Sequence, residues 1–216
     1  GCSSSGCAIA PFARSAAWRS AVVHRLRQDG VAANASQFGD RAFWNSRYTA
    51  GRAPREWFLS AGAAADSAAA ALLSHRRSGL SAADSPLRCL HLGCGTSNLG
   101  GAICDALESE HRLAATVTNV DYSPAAIDVA ARRADPRQSY HVWDVTDGSQ
   151  PPAPPHGSAY DLLLDKGTLD AVLFCGEAPL LGYLAALRRL LAGDGGGGGG
   201  GGGGGSGGSE GGGLSP

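Results

Sequence analysis

Four short segments organise the hydrophobic and polar pattern of this chain: Leu87–Gly95 (LRCLHLGCG), Thr116–Ser123 (TVTNVDYS), Tyr140–Val145 (YHVWDV) and Tyr160–Thr168 (YDLLLDKGT). The first, second and fourth are apolar runs whose last residues turn glycine-rich or acidic, and the third ends at Asp144. Such runs read as strands of a parallel sheet, buried on both faces. Helical patterns alternate with them at Asn98–Glu110, Pro124–Ala134 and Glu177–Ala192. Ser123 is a good N-cap with Pro124 at the first helical position, and Leu180, Leu184, Leu187 and Leu191 recur at helical spacing. Strand–helix alternation predicts an α/β fold with a parallel sheet and helices on both faces. In an open parallel sheet the ligand crevice lies outside the carboxyl ends of the strands. The expected order therefore brings Gly93, Gly95, Asp121, Asp144 and Asp165 to one site.

Upstream, Gln37–Ser60 concentrates Phe43, Trp44, Tyr48, Trp57 and Phe58 in a chain with 6% aromatic residues. Two readings stay open: a helix docking its aromatic face on the domain, or a lid that stacks on a ligand. Ser60–Ser78 is Ala-rich and helical by propensity. Residues 1–38 carry Arg14, Arg19, Arg25 and Arg27 among Ser and Ala, with no acidic residue before Asp29. That pattern suits either an organellar transit segment or a disordered, weakly helical leader, so the expected location is the cytoplasm or an organelle (mitochondrion or plastid). The expected division is a leader at 1–38, a domain at 39–194 and a disordered tail at 195–216. The tail is nearly all glycine and too poor in apolar side chains to offset its ordering entropy.

Composition narrows the function classes. A net charge of -1 gives no global attraction for nucleic acid or a membrane surface. No apolar run approaches the roughly 20 residues that a bilayer requires, so neither partner is expected. The six cysteines contain no CxxC pair and have no nearby histidine set; no metal site and a reducing compartment are expected. The chain contains no methionine, which suggests a processed start or a partial sequence.

The glycine loop Gly93-Cys94-Gly95 allows a tight turn and close approach of a ligand. The next glycine, Gly100, falls too late for the dinucleotide fingerprint, which disfavours an NAD-dependent oxidoreductase. Asp121 follows the glycine loop at the distance where a carboxylate holds ribose hydroxyls; alternatively it is a charge favoured by the following helix. Asp144 either accepts an adenine amino group or caps a turn.

LHLGCGTSNLG, NVDYSPAAI and above all LLLDKGTLDAV, with FWNSRY and EWF upstream, resemble class I S-adenosylmethionine-dependent methyltransferases. Within these they are most similar to the methyltransferase-like protein-lysine enzymes that act on elongation factor 1A and on mitochondrial citrate synthase. The resemblance covers residues 40–194 and implies a Rossmann-like three-layer sandwich, S-adenosylmethionine as cofactor and a protein substrate. It also implies that Trp44, Tyr48 and Trp57 approach the cofactor, that Gly93 lies under its methionine part, and that Asp121 and Tyr122 hold ribose and adenine. Asp144 and Val145 would line the adenine, and Lys166 would close the pocket. For a lysine acceptor the amine must lose a proton, against a free pKa of about 10.4. Asp165 is the candidate for orienting it, with a structural pairing to Lys166 as the alternative. Relatives of this kind continue after the fourth helix with three further strands, whereas here polyglycine follows Asp194. The expectation is a sheet lacking its last strands, and the competing functional reading is an inactive fragment that at most binds cofactor or a partner.

Overall fold

The computed structural model describes residues 35–49, 56–77, 86–154 and 159–192. Most of the expected leader and the whole glycine-rich tail lie outside the described residues. The elements are α1 (Arg41–Thr49), α2 (Ala61–Arg77), β1 (Leu87–Leu92), α3 (Leu99–His111), β2 (Ala115–Asp121), α4 (Pro124–Ala131), β3 (Gln138–Val142), β4 (Leu162–Asp165), α5 (Thr168–Val172) and α6 (Glu177–Ala192). A 3-10 turn at Ala35–Gly39 precedes α1. The strands form one sheet in the order β3-β2-β1-β4, with all three pairings parallel. The expected α/β architecture is the one that forms.

Strand alternation divides the core between the two faces of the sheet. Leu87, Cys89, Ala115 and Val117 pack with Ala65, Ala69 and Leu72 of α2 and with Leu99, Ile103 and Leu107 of α3. Leu90, Leu92 and Val120 face the opposite way, onto Tyr183, Ala186 and Leu190 of α6. Helices on both faces make three layers. Cys89 and Cys104 sit in the first of these clusters as small apolar side chains, and burial pushes both thiols up to about 12. At the entrance to α4 the Ser123 side chain accepts from the Ala126 amide, with Pro124 opening the helix.

Two expectations need correction. The third strand lies two residues earlier than expected and ends at Val142, so Asp144 belongs to the loop beyond it. β3 is an edge strand, and Val142 is 53% exposed, so its apolar signal is weak. The boundary drawn after residue 38 falls inside folded structure: Phe38 is buried against Trp44 and Trp57. The DKGT segment turns directly into the short helix α5, for which the sequence pattern carried no expectation. Among the described residues, no helix is long and apolar enough to cross a membrane.

Candidate functional site

The chain runs from β1 outward through β2 to β3 and then returns to place β4 on the other side of β1. A crevice opens where the order reverses, beyond the carboxyl ends of β1 and β4. A cavity of about 190 Å³ occupies this position. Its lining includes Trp44, Tyr48, Trp57, Gly93, Asp121, Tyr122, Asp144, Val145 and Lys166. Nine of the eleven residues singled out in the sequence thus share one cavity. Gly95 lines a smaller adjoining recess with Arg47, His91 and Ser97. Asp165 lines neither.

The floor is the turn after β1. Gly93 and Gly95 have φ of +56° and +52°, which glycine adopts without penalty. Both are also sterically confined. A Cβ on Gly93 would run into the Thr168 side chain, and one on Gly95 would come within 2.7 Å of the Tyr48 hydroxyl. Thr168 in turn donates its hydroxyl to the Leu92 carbonyl at 2.9 Å, tying α5 to the end of β1.

Asp121 ends β2 and is almost fully buried. One carboxylate oxygen accepts from the Gly95 amide and the other from the Ser123 amide, each at 2.8 Å. Burial nevertheless raises its pKa from 3.8 to about 6, against the pull of those two hydrogen bonds. Its neighbour Tyr122 lies beneath the Arg41 guanidinium, 5.2 Å from the ring centroid. The same Arg41 pairs with Asp144 at 2.9 Å. Asp144 also accepts from the amide and hydroxyl of Thr146, at 3.0 and 2.7 Å, so it caps a turn while lining the cavity.

The aromatic segment forms a wall. Trp44 donates its indole N–H to the Phe38 carbonyl at 2.8 Å, stacks on Tyr48 with centroids 5.9 Å apart and meets Trp57 edge-on. This cluster is both packed core and cavity lining, so the two readings of the segment merge.

Sequence reasoning missed Glu56. Its carboxylate pairs with Lys166 at 2.5 Å and accepts from the Ser97 hydroxyl at 2.9 Å and the Asn98 amide at 3.2 Å. Burial opposes ionisation, yet hydrogen bonds from Lys166 and Ser97 hold the carboxyl below its usual value. Glu56 therefore clamps the strap before α2 to the glycine loop and to the end of β4. The signal was present in the EWF motif, whose aromatic residues drew the attention.

Asp165 is a correction to the sequence reading. Its carboxylate accepts from the Thr168 and Leu169 amides, both at 3.1 Å, and from the Tyr183 hydroxyl. It closes the N-terminus of α5 and is committed to that task. Asp170, five residues later, lines the cavity instead. Burial first, then the nearby Asp165 charge, pushes its carboxyl up to about 6. His91 is buried beside the glycine loop. Asn119 donates to Gln138 and to the Ser139 carbonyl, so its oxygen is left to accept from His91 Nδ1 at 3.2 Å. Burial holds this imidazole neutral and lowers its pKa to about 4. Among the described residues, no cluster of His, Cys, Asp or Glu has the arrangement of a metal site.

Residues 90–196 match the Methyltransf_12 family, a methyltransferase domain. Methyltransferase srdJ of Neurospora crassa is 29% identical over 163 residues, covering 73% of this chain and 64% of srdJ. A TehB-like SAM-dependent methyltransferase from Corynebacterium glutamicum superposes with a TM-score of 0.40 at 20% identity, over 68% of this chain and 62% of that one. The magnesium protoporphyrin IX methyltransferase of Synechocystis, with bound SAM, gives a TM-score of 0.43 at 18% identity, over 74% and 73% of the two chains. The chain thus spans just under two thirds of the length of srdJ and of the TehB-like protein. The domain match begins within β1 and runs through α6, the elements that frame the cavity.

Proposed function

We propose that this chain binds S-adenosylmethionine in the cavity beyond β1 and β4 and transfers its methyl group to a lysine side chain of a protein. The observation that carries the reading is the convergence of Gly93, Asp121, Tyr122, Asp144, Val145 and Lys166 on one cavity at the reversal of strand order.

The residues suit the cofactor. Asp121 uses one lone pair on each carboxylate oxygen for a backbone amide, and a carboxylate has about four such acceptor positions. The remaining ones suit the paired hydroxyls of a ribose. Tyr122, Val145 and Trp143 offer apolar surface for a flat base, with Asp144 beside them as an acceptor. Gly93 leaves room where any side chain would meet Thr168. Glu56 and Lys166 brace the glycine loop against the end of β4.

When bound, the sulfonium cofactor supplies an activated methyl group. The protein's contribution is alignment, since holding two reactants in line replaces the entropy of a bimolecular encounter. The packed aromatic wall and the clamped glycine loop provide that alignment. The protein-lysine acceptor is supported by the LLLDKGTLDAV, FWNSRY and EWF motifs, which build β4, α5, α1 and the strap around the cavity. Elongation factor 1A and citrate synthase are the acceptors to examine first, in the cytoplasm and in an organelle respectively.

The test is incubation of the full chain with methyl-labelled cofactor and each candidate protein, followed by peptide mass spectrometry. Label on a lysine, abolished by acetylating that lysine, supports the proposal. Label on another residue type overturns the lysine assignment. Cofactor binding without transfer to any candidate reduces the chain to a cofactor-binding unit.

A further inference from the structure

Asp170 differs from the other carboxylates of the cavity. Asp121 is engaged by two backbone amides, and Asp144 by Arg41 and Thr146. Lys166, the cavity's own ammonium, is committed to Glu56. Among the described residues, the Asp170 carboxylate accepts a hydrogen bond from its own backbone amide, while no side chain donates to it and no cation pairs with it. It is half-buried, and the charges acting on it come from Asp165 on the preceding turn, with the Tyr183 hydroxyl of α6 on the same side. A desolvated carboxylate facing a cavity favours a cation within reach.

Aromatic rings line the same cavity. Gly167, three residues before Asp170, lies under the strap: a Cβ built on it would be 3.5 Å from the Phe58 ring and 3.7 Å from Trp57. Phe58 is 44% exposed yet lines the cavity. Its φ of +61° is a left-handed conformation that a bulky side chain rarely adopts. Strain of this kind gathers at ligand clamps, where the surroundings hold it in place. An aromatic face and a carboxylate without a cationic partner, lining one cavity, are a setting that attracts organic cations.

We propose that Asp170, with the rings of Phe58 and Trp57, forms a subsite at this cavity for a cationic alkylamine, the ammonium head of the methyl acceptor. The inference rests on the cavity being a methyl-transfer site and adds its acceptor pole. Asp170 orients the nitrogen, and the rings surround its alkyl stem. That nitrogen must release its extra proton to solvent before its lone pair can take the methyl group in exchange for the sulfur–methyl bond. A neutral amide or acylated amine leaves the carboxylate without a partner, so the subsite rejects it.

The experiment uses the full chain saturated with S-adenosylhomocysteine. Nα-acetyl-lysine methylamide is titrated as the cationic probe, with its Nε-acetylated form as the neutral control, and binding is followed by NMR shifts of protein amides. The cationic probe is expected to shift amides around Asp170 and Phe58, and the neutral control to leave them in place. Asp170→Asn should weaken the probe about tenfold or more and Phe58→Leu about threefold, each measured with the chain held saturated with S-adenosylhomocysteine. Equal binding of both probes, unchanged binding in both variants, or no binding of the cationic probe would overturn the subsite. Probe binding retained by a chain that does not bind S-adenosylhomocysteine would overturn the methyl-transfer reading and leave the cation subsite standing.

Discussion

Replacing Asp121 by Asn tests the polar floor of the cavity, because it exchanges a buried charge for an isosteric neutral group. In the folded protein the carboxyl titrates near 6 instead of 3.8. That difference corresponds to ~3 kcal/mol at about 1.4 kcal/mol per unit. The sign follows from proton binding. Between pH 4 and 6 the folded state holds the Asp121 proton more tightly than the unfolded chain, so this group's stabilisation is full below pH 4 and is lost as pH rises through 6. His91 acts oppositely. Its pKa falls from 6.5 to about 4 on folding, so it contributes stability above pH 6.5 that is lost as pH falls toward 4. Asp170, half-buried and raised to about 6, acts in the same sense as Asp121 with a smaller weight because of its exposure. In the parent protein the opposing groups largely cancel. In Asp121→Asn the His91 contribution emerges, and stability should rise with pH by ~2–3 kcal/mol more than in the parent between pH 4.5 and 6.5. At pH 7 the net change should be small: the relief of a buried charge is offset by one backbone amide left facing the Asn amide group, about 1–3 kcal/mol. The assay is urea unfolding across this pH range, followed by tryptophan fluorescence. Identical pH profiles for parent and variant would refute the assignment of Asp121 as a strained, amide-held carboxylate. The variant should also bind S-adenosylhomocysteine about 10- to 100-fold more weakly, because charge-assisted hydrogen bonds of ~1.5–3 kcal/mol are lost.

Three further outcomes are expected. Gly93→Ala should cost at least ~1–2 kcal/mol from the left-handed backbone alone, and more from collision with Thr168; an unchanged thermal midpoint would contradict the description of the turn. Trp44→Ala should destabilise by ~3–5 kcal/mol and also weaken cofactor binding, since the ring is at once core and wall; a loss of stability with cofactor affinity intact in the folded fraction would restrict it to core. Glu56→Gln should weaken the clamp on Ser97 and Lys166, costing ~1–2 kcal/mol for a partly buried pair and several-fold in cofactor affinity, read by chemical unfolding and calorimetry. Equal affinity there would leave the strap structural only.

Much of the fold was legible because β1, β2 and β4 are short apolar runs closed by glycine or acid, and because α3, α4 and α6 follow them with clear helical spacing. The site was legible for the same reason, since strand ends in a parallel sheet meet at one crevice. What escaped the sequence has physical causes. β3 lies at the edge of the sheet with half-exposed residues, so Trp143 and Asp144 extended its apparent span past Val142. α5 has only five residues and an N-cap glycine at φ +98°, and its capping group is a side chain three residues upstream. That capping is why Asp165, placed at a strand end like Asp121, does different work. The same short helix turns Asp170 toward the cavity, an orientation that follows from packing on α6 and not from periodicity. Phe38 escaped because a single aromatic residue at the end of a polar leader carries no pattern; its burial comes from tertiary contact with Trp44, Trp57 and Phe174.

The central claim is that the cavity beyond β1 and β4 holds S-adenosylmethionine, and its most direct test is a calorimetric titration of the full chain with S-adenosylhomocysteine, with Asp121→Ala alongside. The account predicts saturable binding with one site per chain, weakened at least tenfold in the variant. A folded parent chain that takes up no ligand, or a variant that binds as well as the parent, would contradict it.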